Sequence, residues 1–153
     1  MRRQECEIRE WNEIVAAMER CDVCRIGFSD EQEPYIVPMN FGMKREGEAL
    51  TLYFHCAREG RKLDLFRRYP RVCFEMDCDH ALASAEDAHD CTMHYVCVMG
   101  TGTLRETEGE EKLEGLRLLM SRHGHPQNDF SESAVQVTTV LALTIEHISG
   151  KRH

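Results

Sequence analysis

Apolar residues first recur at helical spacing. Trp11, Ile14, Val15 and Met18 stand at i, i+3, i+4 and i+7, one stripe of an amphipathic helix that ends near Cys21. The period then drops to two: in "CRIGFSD", Cys24, Ile26 and Phe28 alternate with Arg25, Gly27 and Ser29, as in a half-buried strand. After the turn "DEQEP" comes "YIVPMNFGM", residues 35–43, which has strand-forming residues but carries Pro38 in its middle. Proline offers no amide hydrogen to a ladder, which confines it to edges, first positions and bulges. A turn at "KREGE" leads into "ALTLYFHC", where Leu50, Leu52 and Phe54 alternate with Thr51, Tyr53 and His55. Two strand patterns joined by a short glycine-containing turn predict a hairpin.

Glu59 to Tyr69 reads as a second helix with Leu63 and Phe66 inward, stopped by Pro70, and "RVCFEMDC" alternates Val72, Phe74 and Met76. "CTMHYVCVMGTGTLRET" predicts a long strand whose Gly100 and Gly102 mark a bend, a bulge or a close backbone approach. Residues 109–122 predict a third helix with Leu113, Leu116 and Met120 on one side. "VTTVLALTIEHI" supplies the last strand, and "SRHGHPQNDFSES" is a long polar loop. Six strands in a meander with helices at the corners predict an α+β fold built on an antiparallel barrel. No G-x-G-x-x-G follows the first strand, which argues against a parallel dinucleotide-binding sheet.

At 153 residues the chain is expected to form a single domain, 1–153. No apolar run approaches the ~20 residues of a membrane span, and "MRRQECEIREWNEIV" lacks a signal-like apolar region, so a cytoplasmic location is expected. A net charge of -8 argues against a nucleic-acid or anionic-membrane surface. One segment departs from that balance: six of the 19 Lys and Arg residues fall between Arg58 and Arg71, accompanied only by Glu59 and Asp64. It reads either as an anion site or as an ordinary solvated helix face. Eight cysteines without a secretory signal imply reduced thiols, and Cys24, Cys73 and Cys97 sit in strand-like alternation that favours packing.

The strongest candidate for chemistry is "FHCAREGRKLDLF". A strand ends at His55 and a helix begins near Gly60, Arg61 and Lys62, so exposed amides, the positive end of the helix dipole and two cations together suit a phosphate. Pro38 then acquires a role. An interrupted ladder leaves backbone groups near Met39 and Asn40 free for the polar edge of a flat ligand, and Asn40 adds a side-chain donor and acceptor. "CDVC" at 21–24 precedes a strand instead of opening a helix, unlike a thioredoxin-type motif. Cys78, His80, His89, Cys91 and His94 are possible ligands without zinc-site spacing, and no metal is expected. Tyr95 and Cys97 share one strand face, with the barrel interior as their default place.

These stretches, above all "HxAxxGRK" and "PxNF" in this order, resemble the nitroimidazole-resistance group of the pyridoxamine 5'-phosphate oxidase-like, FMN-binding split barrels. The similarity runs through "CRIGF", "PYIVPMNFG", "LYFHCAREGRKLDLFRRYPRVCFE", "CTMHYVCVMGTG", "EEKLEGLRLLM" and "LTIEHISGK". It implies a six-stranded split barrel that forms a homodimer, with FMN at each of two sites between subunits. Val37, Pro38, Met39, Asn40 and Phe41 would edge the isoalloxazine ring. His55, Cys56 and Ala57 would line it, Gly60 would let backbone approach, and Arg61 with Lys62 would hold the phosphate. Cys91, Tyr95 and Cys97 would come from the second subunit. The group usually has Tyr-x-Ser-Val on the long strand where this chain has Tyr95, Val96, Cys97 and Val98, a thiol in place of a stronger hydroxyl donor. The C-terminal Arg and His pattern of vitamin B6 oxidation is not evident in "TIEHISGKRH".

The expected activity is reduction of a small acceptor, such as a nitroaromatic, by FMN that a nicotinamide or another donor has reduced. His55 is the candidate proton donor, since an imidazole ordinarily titrates near pH ~6.5. The alternatives are a carrier of flavin or haem without turnover and a thiol or metal sensor.

Overall fold

The computed structural model describes residues 4–30, 33–84, 91–125 and 129–153. After a 3-10 turn at Gln4–Cys6 come β1 (Glu7–Ile8), α1 (Trp11–Arg20), β2 (Cys24–Phe28), β3 (Tyr35–Met39), β4 (Gly42–Glu46) and β5 (Ala49–Ala57). Then follow α2 (Arg61–Arg68), β6 (Arg71–Ala83), β7 (Thr92–Glu106), α3 (Gly109–Arg122), α4 (Glu132–Gln136) and β8 (Thr138–Arg152). All pairings are antiparallel, in the order β3-β2-β6-β7-β8-β5-β4, with β1 on β8.

The two edge strands of this sheet are consecutive in the chain. Seven strands laid flat would hold their outer members about 29 Å apart at the usual ~4.8 Å spacing. Met39 and Gly42 are linked by at most about 11 Å of backbone. The sheet therefore curls until its edges face one another, joined by Asn40 and Phe41 but not by a ladder. This is the α+β antiparallel split barrel that the sequence predicts, with eight strands in place of six, because β1 adds a short strand to β8 and the segment around Pro38 divides. "YIVPMNFGM" is two strands: β3 pairs with β2, and β4 pairs with β5, Gly42 opposite Tyr53. The hairpin onto His55's strand thus belongs to Gly42–Glu46, while Pro38 sits on an edge strand whose only partner among the described residues is β2, where its missing amide is tolerated.

The interior is closed by one side of each strand and by α1. Cys24, Ile26 and Phe28 from β2, Val72, Phe74 and Met76 from β6, and Ile14, Val15, Ala17 and Met18 from α1 are all buried. On β7 the interior positions are Val96 and Val98, so Tyr95 and Cys97 turn outward and are half-buried, contrary to their default placement. Gly102 is where close approach matters most, because a methyl group there would overlap the carbonyl oxygen of Thr144. The β7–β8 register shifts beside it, between Thr101 and Gly102.

α3 covers the outer face of β4 and β5. Gly115 lets the helix lie against the ring of Tyr53, with Leu116, Val140 and Ala142 completing a second small core. The buried stripe is Gly115, Leu116 and Leu119, while Leu113 and Met120, expected inward, are half-buried. The helix is rotated because its contact is with Tyr53 and the backbone near Gly42, not with the barrel interior. Arg122, at its last turn, donates Nη2 hydrogen bonds to the carbonyls of Met18 and Glu19, both at 3.0 Å, and to that of Cys21. Its guanidinium lies 4.1 Å from the centre of the Phe41 ring.

Candidate functional site

At the seam between the barrel edges lies a groove of about 420 Å³, lined by Val37, Pro38, Met39 and Asn40 from one side and His55, Cys56 and Ala57 from the other, with Lys62, Val137 and Thr138. Its size falls within the ~300–1,000 Å³ typical of small-molecule sites. The seam explains its polar character. Among the described residues β3 has a single ladder partner, so alternate peptide groups along it point away from β2 and outside that ladder.

α2 starts just beyond the end of β5. The carbonyl of Gly60 accepts from the amides of Leu63 and Asp64 at 2.8 and 3.3 Å, which leaves the amides of Arg61 and Lys62 without intrahelical partners. Gly60 holds φ at +137°, a conformation that an L side chain resists. It lies beside the groove and not in its lining. The two cations diverge. Lys62 lines the groove and has no ion pair or hydrogen bond among the described residues. Arg61 turns away: its Nη2 meets Asp30 at 3.0 Å and Glu33 at 2.9 Å, and the guanidinium covers Tyr35 at 4.5 Å from the ring centre. Of the expected phosphate pair, Lys62 alone faces the groove.

Phe41 is also placed differently from expectation. It is fully buried beneath Arg122, because the chain crosses from one barrel edge to the other at this residue. Asn40 is exposed, and its Nδ2 donates to the carbonyl of Asp22 at 3.2 Å. His55 is exposed on β5 and Cys56 is buried, its thiol pushed up by burial. Tyr95 and Cys97 lie on the outward face of β7 and Cys91 just before it, none of them lining this chain's groove. Lys151 Nζ donates to Tyr95 Oη. Cys97 Sγ lies 3.6 Å from Glu75 Oε1, and burial with the Glu75 carboxylate pushes its thiol to about 11. Val137 and Thr138 entered no sequence expectation; they reach the groove because α4 delivers the chain to the start of β8 beside Ala57.

Burial pushes Cys21 to about 12 and Cys24 up further, so neither thiol of "CDVC" is a nucleophile at neutral pH. Among the described residues no three His, Cys, Asp or Glu side chains converge on a metal site; His89 lies outside them. No helix among the described residues is long and apolar enough to cross a membrane.

The pyridoxamine 5'-phosphate oxidase family matches residues 10–152. The chain belongs to that family. Among solved structures this family member is similar to a candidate 5-nitroimidazole antibiotic resistance protein from Bacteroides thetaiotaomicron, at 29% identity and a TM-score of 0.84, covering 95% of this chain and 86% of that one. The flavocytochrome Anf3 from Azotobacter vinelandii matches at 20% identity and a TM-score of 0.81, over 100% of this chain and 72% of its own. A FAD and heme binding protein from Mycobacterium smegmatis matches at 16% identity and 0.82, over 95% and 72%. The last two likenesses establish the fold alone. No curated protein matches this family member in sequence.

Proposed function

We propose that this chain binds FMN in the seam groove and acts as a flavin-dependent reductase of small acceptors, nitroimidazoles or other nitroaromatics among them. The observation that carries the reading is the convergence in one groove of unpaired Lys62, the first turn of α2 and the unladdered edge at Pro38–Asn40. A phosphate suits the first two, and the hydrogen-bonding edge of a flat ring suits the third. Likeness to the Bacteroides protein supports the acceptor class. The flavin supplies the electron transfer. The chain's own groups bind and orient it, and His55 holds a proton next to the acceptor. Vitamin B6 oxidation is disfavoured because its C-terminal Arg and His pattern is not evident in "TIEHISGKRH"; here Arg152 pairs with Glu13 at 3.2 Å and His153 Nε2 lies 2.9 Å from Thr92 Oγ1.

The first test is the absorption spectrum of the purified protein and of its heat-released cofactor, followed by NADH or NADPH oxidation with a nitroimidazole present. Flavin bands, free FMN and acceptor-dependent oxidation are expected. A Soret band would favour a haem carrier, a reading prompted by the Azotobacter and Mycobacterium proteins. A fully flavin-loaded protein that never turns over would overturn the reductase.

The working unit of this reading is a cytoplasmic homodimer with a cofactor at each subunit interface. Its support is the outer face of β2, β3, β6, β7 and β8, a concavity of about 670 Å³ bordered by Ile36 and Met99, which are 65% and 55% exposed. A concave outer face bordered by such apolar side chains suits cover by another protein. Since Cys97 and Tyr95 belong to this side of β7, a second copy docked there would bring them toward its neighbour's groove. Met99→Lys is expected to convert the dimer to monomer in analytical ultracentrifugation and to lower flavin content with it. A dimer that persists with full flavin would assign the interface elsewhere.

A further inference from the structure

Behind His55 and Asn40 lies a second cavity, of about 260 Å³, whose remaining walls are Leu116, Leu119 and Met120 from α3, with His123 and Phe130. We infer that this cavity is a binding pocket for the neutral, single-ring body of a small molecule, opening onto the groove at His55. As the acceptor pocket of that groove it rests on the flavin reading above; as a ring-binding site it does not.

Size sets the first limit. An apolar cavity of ~150 Å³ suffices for benzene, so 260 Å³ admits one ring with small substituents and is too small for a dinucleotide. Charge sets the second. Among the described residues no Lys, Arg, Asp or Glu lines the cavity, in contrast to the groove with Lys62, so a carboxylate or phosphate entering it would lose hydration with only the His55 and His123 rings, and no permanent cation, to meet it. Polar groups set the third. Asn40 uses its Nδ2 on Asp22, which leaves its Oδ1 together with the His55 and His123 rings without hydrogen-bond partners among the described residues. These can orient a nitro, carbonyl or hydroxyl substituent on a ring held by leucine, methionine and phenylalanine.

The α3 wall of the pocket is held in place. Leu116 and Leu119 are 8% and 3% exposed, and the helix bearing them is pressed against the barrel at Gly42 and Gly115 and tied to α1 by Arg122. His55 and Asn40 line both cavities, so a ring seated here lies next to whatever occupies the groove. That juxtaposition, and not the apolar lining alone, makes the pocket a place for a reacting partner.

The test titrates the purified protein with toluene and with benzoate, followed by ligand-observed NMR. Toluene should saturate a single site and benzoate should bind at least tenfold more weakly. Met120→Trp, which fills the cavity, should weaken toluene at least tenfold with flavin content unchanged. Phe130→Ala, which widens it, should let naphthalene bind at least tenfold more tightly than in the parent. In turnover, toluene should compete with nitrobenzene, and Met120→Trp should raise the nitrobenzene KM. Toluene binding that does not saturate, or that both variants leave unchanged, would overturn the pocket. If toluene behaves as expected but the protein neither holds nor takes up FMN, the ring site stands and the flavin reading falls. If flavin is bound and toluene does not compete with nitrobenzene, the acceptor role falls.

Discussion

Lys62→Glu should raise the FMN dissociation constant at least about 100-fold, roughly 3 kcal/mol of binding free energy. Two unit charges ~4 Å apart interact by about 4 kcal/mol at the effective dielectric of a protein surface, and the substitution turns an attraction toward the phosphate into a repulsion. Folding should not suffer, because a glutamate in the first turn of α2 faces the positive end of the helix dipole. Two companion variants separate charge from packing. Lys62→Met removes the attraction without adding repulsion and should cost about tenfold. Arg61→Glu should cost less than Lys62→Glu, since Arg61 is already engaged by Asp30 and Glu33. Fluorescence titration of the apoprotein with FMN reads all three. An unchanged constant for Lys62→Glu would place the phosphate elsewhere, and a larger loss at Arg61 would mean that its ion pairs open to meet the ligand.

That contrast between two adjacent cations shows what a sequence pattern conveys and what it withholds. Pattern identifies faces: the stripe of Ile14, Val15 and Met18, the alternation of Val72, Phe74 and Met76, and the helix stop before Pro70 all appear in the fold as expected. Pro38 marks an interrupted ladder, because a missing donor is tolerated only at edges, first positions and bulges, but it does not show that the segment divides there between two barrel edges. Pattern does not identify neighbours. Nothing in "GRK" says that Arg61 will find Asp30 some thirty residues earlier, and nothing in "PMNF" says that the chain changes barrel edge at Phe41. α4 is not legible in the pattern: Glu132 and Ser133 close the polar loop, Ala134 to Gln136 fall in no predicted element, and five residues cannot display a helical period. The local sign of it was Ser131, whose Oγ accepts from the amide of Ala134 as a helix N-cap. Val137 and Thr138 escaped for the same reason: their place in the groove depends on where α4 ends.

Arg122→Ala should destabilise the protein by about 3 kcal/mol, a fall in melting temperature of about 6–12 °C for a chain of this length. The guanidinium is half-buried, and among the described residues no carboxylate forms an ion pair with it; burial lowers its pKa from the usual value. What offsets that desolvation is the C-terminal end of α1, where the carbonyls of Met18, Glu19 and Cys21 converge on Nη2, together with the Phe41 ring below. Cations at a helix C-terminus are favoured by the dipole, and a desolvated cation over an aromatic face adds about 1–2 kcal/mol. Truncation removes all of these at once and leaves peptide oxygens without their donor. Arg122→Lys should recover less than half of the loss, because an ammonium lacks the planar fork and stacks poorly. A loss below about 0.5 kcal/mol in urea denaturation would show that the carbonyls are equally well served by water. The consequence reaches the site, since Arg122 anchors the end of α3 from which Leu119, Met120 and His123 face His55 across the smaller cavity.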